Sequence, residues 1–79
     1  MKPKTQIAYI PNHAHGDINH EDVEFGFVTS SNEKFIFCRF WSKTYPNTLR
    51  TMSCSEAVYG ENLVEVESVP QSLVNKFFD

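Results

Sequence analysis

The sequence predicts a mainly β domain, five short strands bent into a small barrel with a short C-terminal α-helix. Three observations predict it. β-branched and aromatic runs recur between turn-forming residues. Two successive runs, 23–30 and 34–41, are apolar on both faces, which a flat antiparallel sheet with one wet face would not tolerate. The last twelve residues carry a helix-capping pattern followed by apolar residues at helical spacing.

The 79 residues are expected to form one domain, 1–79, with no second core. A chain this short buries only about 60–65% of its unfolded surface, so large side chains must carry the core. Seven Phe, three Tyr and one Trp are available for that.

Thr5 to Ile10 (TQIAYI) reads as the first strand, and Pro11 ends it by removing a ladder donor. Residues 11–22 are polar, contain Gly16, and show neither helical nor strand period. They form a long first loop, of the kind that often carries function. Val23 to Ser30 and Lys34 to Trp41 read as the next two strands, joined by a turn at Ser31, Asn32 and Glu33.

With Ser31 and Asn32 at the tip, Glu24 falls opposite Arg39 and Gly26 opposite Phe37. That register puts Phe25, Phe27, Ile36, Cys38 and Phe40 on one face. It puts Glu24, Val28, Phe35, Phe37, Arg39 and Trp41 on the other. Residues 42–48 read as a turn, Leu49 to Cys54 as a strand, 55–62 as a loop around Gly60, and Leu63 to Glu67 as the fifth strand. Ser68 and Gln71 have capping-box spacing. Leu73, Val74, Phe77 and Phe78 then define a helix over about 69–78 that must dock to persist.

Net charge is −3 and the isoelectric point about 5.5, which disfavours a non-specific nucleic-acid coat. No apolar stretch approaches the roughly 18 residues that span a membrane. The basic start Met1-Lys-Pro-Lys has no hydrophobic signal region behind it. The two cysteines, Cys38 and Cys54, are too few for a disulfide framework, and Cys38 is expected to be a buried free thiol. Together these place the domain in the cytoplasm.

Five short strands, a long first loop, a tight second turn and a terminal helical element follow the order of an SH3-like barrel. Within it, Glu24-x-Gly26-x-Val28-Thr29-Ser30 and Phe37 to Trp41 resemble the strand pair of Tudor- and KOW-type barrels. The chain more closely resembles small uncharacterised bacteriophage and prophage proteins. The matching residues are His13 to Asp17, His20-x-Asp22, Gly26 to Ser30, Cys38 to Trp41 and Leu49 to Thr51, a likeness spanning Ile7 to about Val74. It implies a fold type and a phage or mobile-element setting, and no mechanism.

His13, His15, Asp17, His20, Glu21 and Asp22 lie within ten residues and include all three histidines. Two readings stand side by side. In one, Asp and His side chains bond to their own loop, with Gly16 setting a turn. In the other, His13, Asp17, His20 and Asp22 hold a divalent metal, zinc foremost, since imidazole and carboxylate are its usual ligands. His13-Ala14-His15-Gly16-Asp17 also resembles the opening of the H-x-H-x-D-H motif of metallo-β-lactamase-like hydrolases. Ile18 stands where the next histidine belongs, and that fold needs a far longer chain, so the likeness is rejected.

The other candidate site is an aromatic and basic strip: Arg39, Trp41, Tyr45 and Arg50, with Phe37 and Lys43 nearby. Small barrels bind across such strands, aromatics serving as platforms and Arg as a forked donor. Phe37 reads better as core, whereas Trp41 at a strand end suits either core or contact. The chain therefore reads as a non-catalytic module that docks on a host or phage macromolecule, protein rather than nucleic acid given the charge. The alternative is a metal-binding accessory or small metal-dependent hydrolytic domain built on the histidine loop.

Overall fold

The computed structural model describes residues 1–41, 56–67 and 69–78. Among these residues five strands form one antiparallel sheet: β1 (Gln6–Tyr9), β2 (Glu24–Ser31), β3 (Ile36–Phe40), β4 (Glu56–Val58) and β5 (Leu63–Glu65), in the order β4-β3-β2-β1-β5. A 3-10 turn, Asn12–Ala14, opens the first loop, and a second, Gly60–Asn62, precedes β5. Helix α1 (Gln71–Phe78) ends the described chain. β1, β2, β3, β5 and α1 fall within or beside the expected segments. β4 forms where a loop was expected. The expected strand at 49–54 and turn at 42–48 lie outside the described residues.

Edge strands β4 and β5 are consecutive in the chain, joined only by residues 59–62. A flat five-stranded sheet would hold its edges about 19 Å apart. A connection containing a 3-10 turn spans only about 13 Å. The sheet must therefore curl. The position of a Cβ on Gly60 lies 3.0 Å from Ile36 Cδ1, so this connection packs down on β3.

The β2–β3 register differs from the expected one. Asn32 Oδ1 accepts from the N–H groups of Lys34 and Phe35, both at 2.9 Å, and Asn32 N donates to Phe35 O at 2.9 Å. The turn thus spans residues 32–35, and Ser31 pairs with Ile36. A bulge between Val28 and Ser30 leaves Thr29 unpaired, its hydroxyl donating to Phe37 O at 3.0 Å. Beyond the bulge Val28 faces Cys38, Phe27 faces Arg39, and Gly26 faces Phe40. A shift by an odd number of residues exchanges the faces of one strand relative to the other.

Val28, in place of Phe25 and Phe27, therefore joins Cys38 and Phe40. That first core adds Ile7 and Leu63, with Tyr9, Ile36 and Val58 packed against it. The second core lies on the opposite face: Phe27, Trp41, Val69 and Val74, bordered by Phe25, Leu73 and Phe78. Helix α1 supplies Leu73, Val74 and Phe78, burying Val74 completely. Gln6, buried within β1, anchors the helix start: its Oε1 accepts from Val69 N at 3.0 Å and its Nε2 donates to Gln71 Oε1 at 3.2 Å. Gln71 in turn donates to Lys4 O at 3.1 Å. The expected capping partner Ser68 lies outside the described residues, and Gln71 is engaged with β1 and its approach.

Gly26 is where β3 comes closest. A Cβ there would overlap Arg39 O and lie 2.8 Å from Phe40 Cα. Both neighbours are main chain in a paired strand, so neither can move aside. Gly26→Ala should therefore yield insoluble protein, or a melting midpoint lowered by 10 °C or more, equivalent to at least ~2 kcal/mol in a domain this size; a wild-type melt would disprove the close approach. Truncation after Pro70 removes Leu73, Val74, Phe77 and Phe78 from the second core. Its melting temperature should fall markedly, whereas an unchanged curve would make the helix a free appendage.

Candidate functional site

The loop between β1 and β2 folds as a chain of tight turns. Ala14 N donates to Pro11 O, His15 N to Asn12 O, Asp17 N to Ala14 O, His20 N to Asp17 O and Val23 N to His20 O, all within 2.9–3.1 Å. His15 and Gly16 both take left-handed backbone, with φ of 52° and 79°. Gly16 adopts it without steric cost, and His is among the side-chain-bearing residues that tolerate it. Buried Ala14 and Val23 pin the two ends of the loop to the domain. Asn62 ties it to the β5 side, its Nδ2 donating to Asn12 Oδ1 at 3.1 Å.

This path turns the chain back so that His13, His20 and Asp22 converge. His13 Nε2 lies 2.7 Å from Asp22 Oδ2, and His20 Nδ1 lies 4.0 Å from the same oxygen. The two imidazoles meet edge to face, ring centroids 5.3 Å apart. Asp22 N donates to His20 Nδ1 at 3.0 Å. One ligand atom from each of the three residues lies within 4.8 Å of the others.

Asp17, expected as a fourth ligand, stands outside this group. Its Oδ1 accepts from Asn19 N at 2.9 Å, closing an Asx turn. His15 is exposed. Both readings of the loop thus find a place: its own side chains brace its backbone, and three of the four expected ligands meet.

Of the aromatic and basic strip, only Arg39 and Trp41 lie within the described residues. Trp41, expected as a contact residue, is 5% exposed and packs on Phe27 with ring centroids 5.4 Å apart. It is core, because the β2–β3 register turns it toward the face that α1 covers. Its indole Nε1 is buried with no hydrogen-bond partner among the described residues. Tyr45 and Arg50 lie outside the described residues. Arg39 is half-buried and sets its guanidinium over the ring of Phe77, 4.9 Å from the centroid. Lys4 Nζ sits 5.5 Å over the ring of Phe78.

Phe77 and Phe78 touch each other and both rest on Phe27, with ring centroids 5.1–5.8 Å apart. Among the described residues, Arg39 thus belongs to a two-ring platform that carries two cations. Sequence reading assigned both rings to the core and left Lys4 without a role. Their helical spacing was legible, but the half-covered edge on which they come to rest depends on β2–β3 register.

Cys38 is a free, fully buried thiol. It donates to Ile36 O at 3.5 Å. Burial first, and Glu56 nearby second, push its pKa up to about 11. A thiol held protonated in an apolar core is a poor nucleophile. No family model, curated protein or solved structure matches the chain.

The Cys38 proton has a stability consequence. Unfolding drops the thiol pKa from about 11 toward 9.0, so alkaline unfolding releases a proton and stability falls as pH rises through that window. In a Cys54→Ser background, Cys38 should resist thiol reagents at neutral pH and react only on unfolding. Stoichiometric labelling of native protein within minutes would contradict its burial.

Proposed function

We propose that this chain is a non-catalytic binding module with an SH3-like barrel fold, of phage or prophage origin, that docks on an acidic segment of a host or phage protein. The observation that carries the docking surface is the platform of Phe77 and Phe78 under Arg39 and Lys4. Phe77 remains 39% exposed, and Lys76 adds an exposed cation on the same helical turn. Cations gathered over rings in a chain of net charge −3 form a local positive surface, whose complement is a carboxylate-bearing strand or helix. Arg contributes forked bonds to carboxylate while its stem and the rings exclude water, which is the composition of interface hot spots.

Strand order and the short 59–62 connection support the barrel reading, since they curl the sheet edges toward one another. The phage assignment rests on the likeness through the histidine loop and the β2–β3 pair. The buried, protonated Cys38 supports the non-catalytic reading, because it removes this thiol as a nucleophile. Among the described residues no helix is long and apolar enough to cross a membrane.

Capture of partners from infected-host lysate, with and without nuclease, tests this reading. Arg39→Glu should cut capture by about 30-fold, the ~2 kcal/mol of a hot spot, and added salt should weaken wild-type binding. Phe77→Ala should weaken it too while the fold survives. Undiminished capture by folded Arg39→Glu would place the interface elsewhere, and capture abolished by nuclease would make the partner a nucleic acid.

A further inference from the structure

We propose that the loop between β1 and β2 is a transition-metal site, zinc by preference, held by His13, His20 and Asp22. This is separate from the docking surface and does not rest on it. The donor set decides the class of ion. Two imidazole nitrogens and one carboxylate oxygen suit zinc and its neighbours, whereas calcium and magnesium take oxygen ligands almost alone.

The spacing agrees. Ligand atoms around a tetrahedral zinc ion, each about 2.0–2.1 Å from it, stand about 3.4 Å apart. The two distances to Asp22 Oδ2, 2.7 Å and 4.0 Å, bracket that value. All three ligand atoms lie within 4.8 Å of one another, so binding asks for displacements of up to about 1.5 Å, in side chains that the turns already bring together. His20 Nδ1 is ready for it. It accepts from Asp22 N, and capture of an ion exchanges that bond for a coordinate one. His13 Nε2, hydrogen-bonded to Asp22 in the absence of metal, gives up its proton or changes tautomer on binding.

The side chains of His13 and Asp22 are 62% and 51% exposed, so an ion reaches them without the domain opening. Three protein ligands leave a fourth position for water or for a donor from a partner. An exposed His–Asp pair contributes little to stability by itself, so its arrangement gives the fold little that a simpler pair of turn residues would not.

The test is calorimetric titration of the chelator-treated full chain with zinc chloride at pH about 7.5, where imidazole is mostly neutral. The expected result is one ion per chain with micromolar or tighter affinity. His13→Ala, His20→Ala and Asp22→Asn should each weaken it by more than about tenfold, as loss of one of three ligands implies. His15→Asn, which tolerates the left-handed backbone, and Asp17→Asn, which keeps the turn-forming carbonyl, should bind as wild type. Cobalt(II) in place of zinc should give visible ligand-field bands that His20→Ala loses, a readout of coordination rather than of stability. Should alanine at position 13 unfold the loop, Asp22→Asn, which keeps the shape, decides. No uptake at micromolar zinc overturns the proposal, as does uptake that persists in Asp22→Asn or is lost equally in His15→Asn.

Discussion

Gly26 sits against the main chain of Arg39 and Phe40, and three residues further on Thr29 bulges out of the ladder. These two features hold β2 and β3 in the alignment that gives each apolar side chain its face. The glycine permits an approach that any Cβ would block, and the bulge absorbs one residue so that the strand beyond it changes phase. Every later contact inherits this alignment. Phe27 meets Trp41 and α1 because it faces Arg39, and Val28 closes the first core because it faces Cys38.

The sheet carries an apolar cluster on each side, so both faces need cover. One side is filled by the strands as they curl, with edge residues Val58 and Leu63 reaching the same cluster as Ile7 and Phe40. The other is filled by a helix of eight residues, too short to be stable unaided. Gln6 resolves the junction. Its buried amide satisfies Val69 N and Gln71 at the helix start, where an apolar residue would leave those groups unpaired. One polar side chain in β1 thus aims the helix, and the helix end then fixes where Phe77 and Phe78 rest.

Both candidate surfaces follow from that frame. The ring platform exists because α1 ends over Phe27, bringing Phe77 within reach of Arg39 and Phe78 within reach of Lys4. The histidine cluster exists because Ala14 and Val23 anchor a loop whose left-handed pair, His15 and Gly16, reverses the chain between them. The two differ in how far local sequence reaches. His13, His20 and Asp22 lie within ten residues, and their convergence is mostly local turn chemistry. Arg39 and Phe77 are separated by 37 intervening positions, and only tertiary packing joins them.

Residue type and local spacing determined the mainly β class, β1 to within one residue at each end, the long loop, the β2–β3 hairpin, the buried thiol and the terminal helix. These depend on interactions between near neighbours: β-branching, a proline stop, glycine and asparagine turns, and apolar residues at helical period. The hairpin register was decided elsewhere. A four-residue turn closed by Asn32 competes with a shorter one, and the bulge at Thr29 has no local signature, so the energy separating them lies in which cores the strands fill. Of the two readings open for Trp41, core and contact, the folded chain takes core. Strand β4 likewise has little intrinsic claim to be a strand. Glu56, Ala57 and Val58 pair because β3 offers them an open edge. Asp17 dropped out of the ligand set because its carboxylate serves Asn19 N, a choice between two local partners that composition leaves equal and only the folded loop makes.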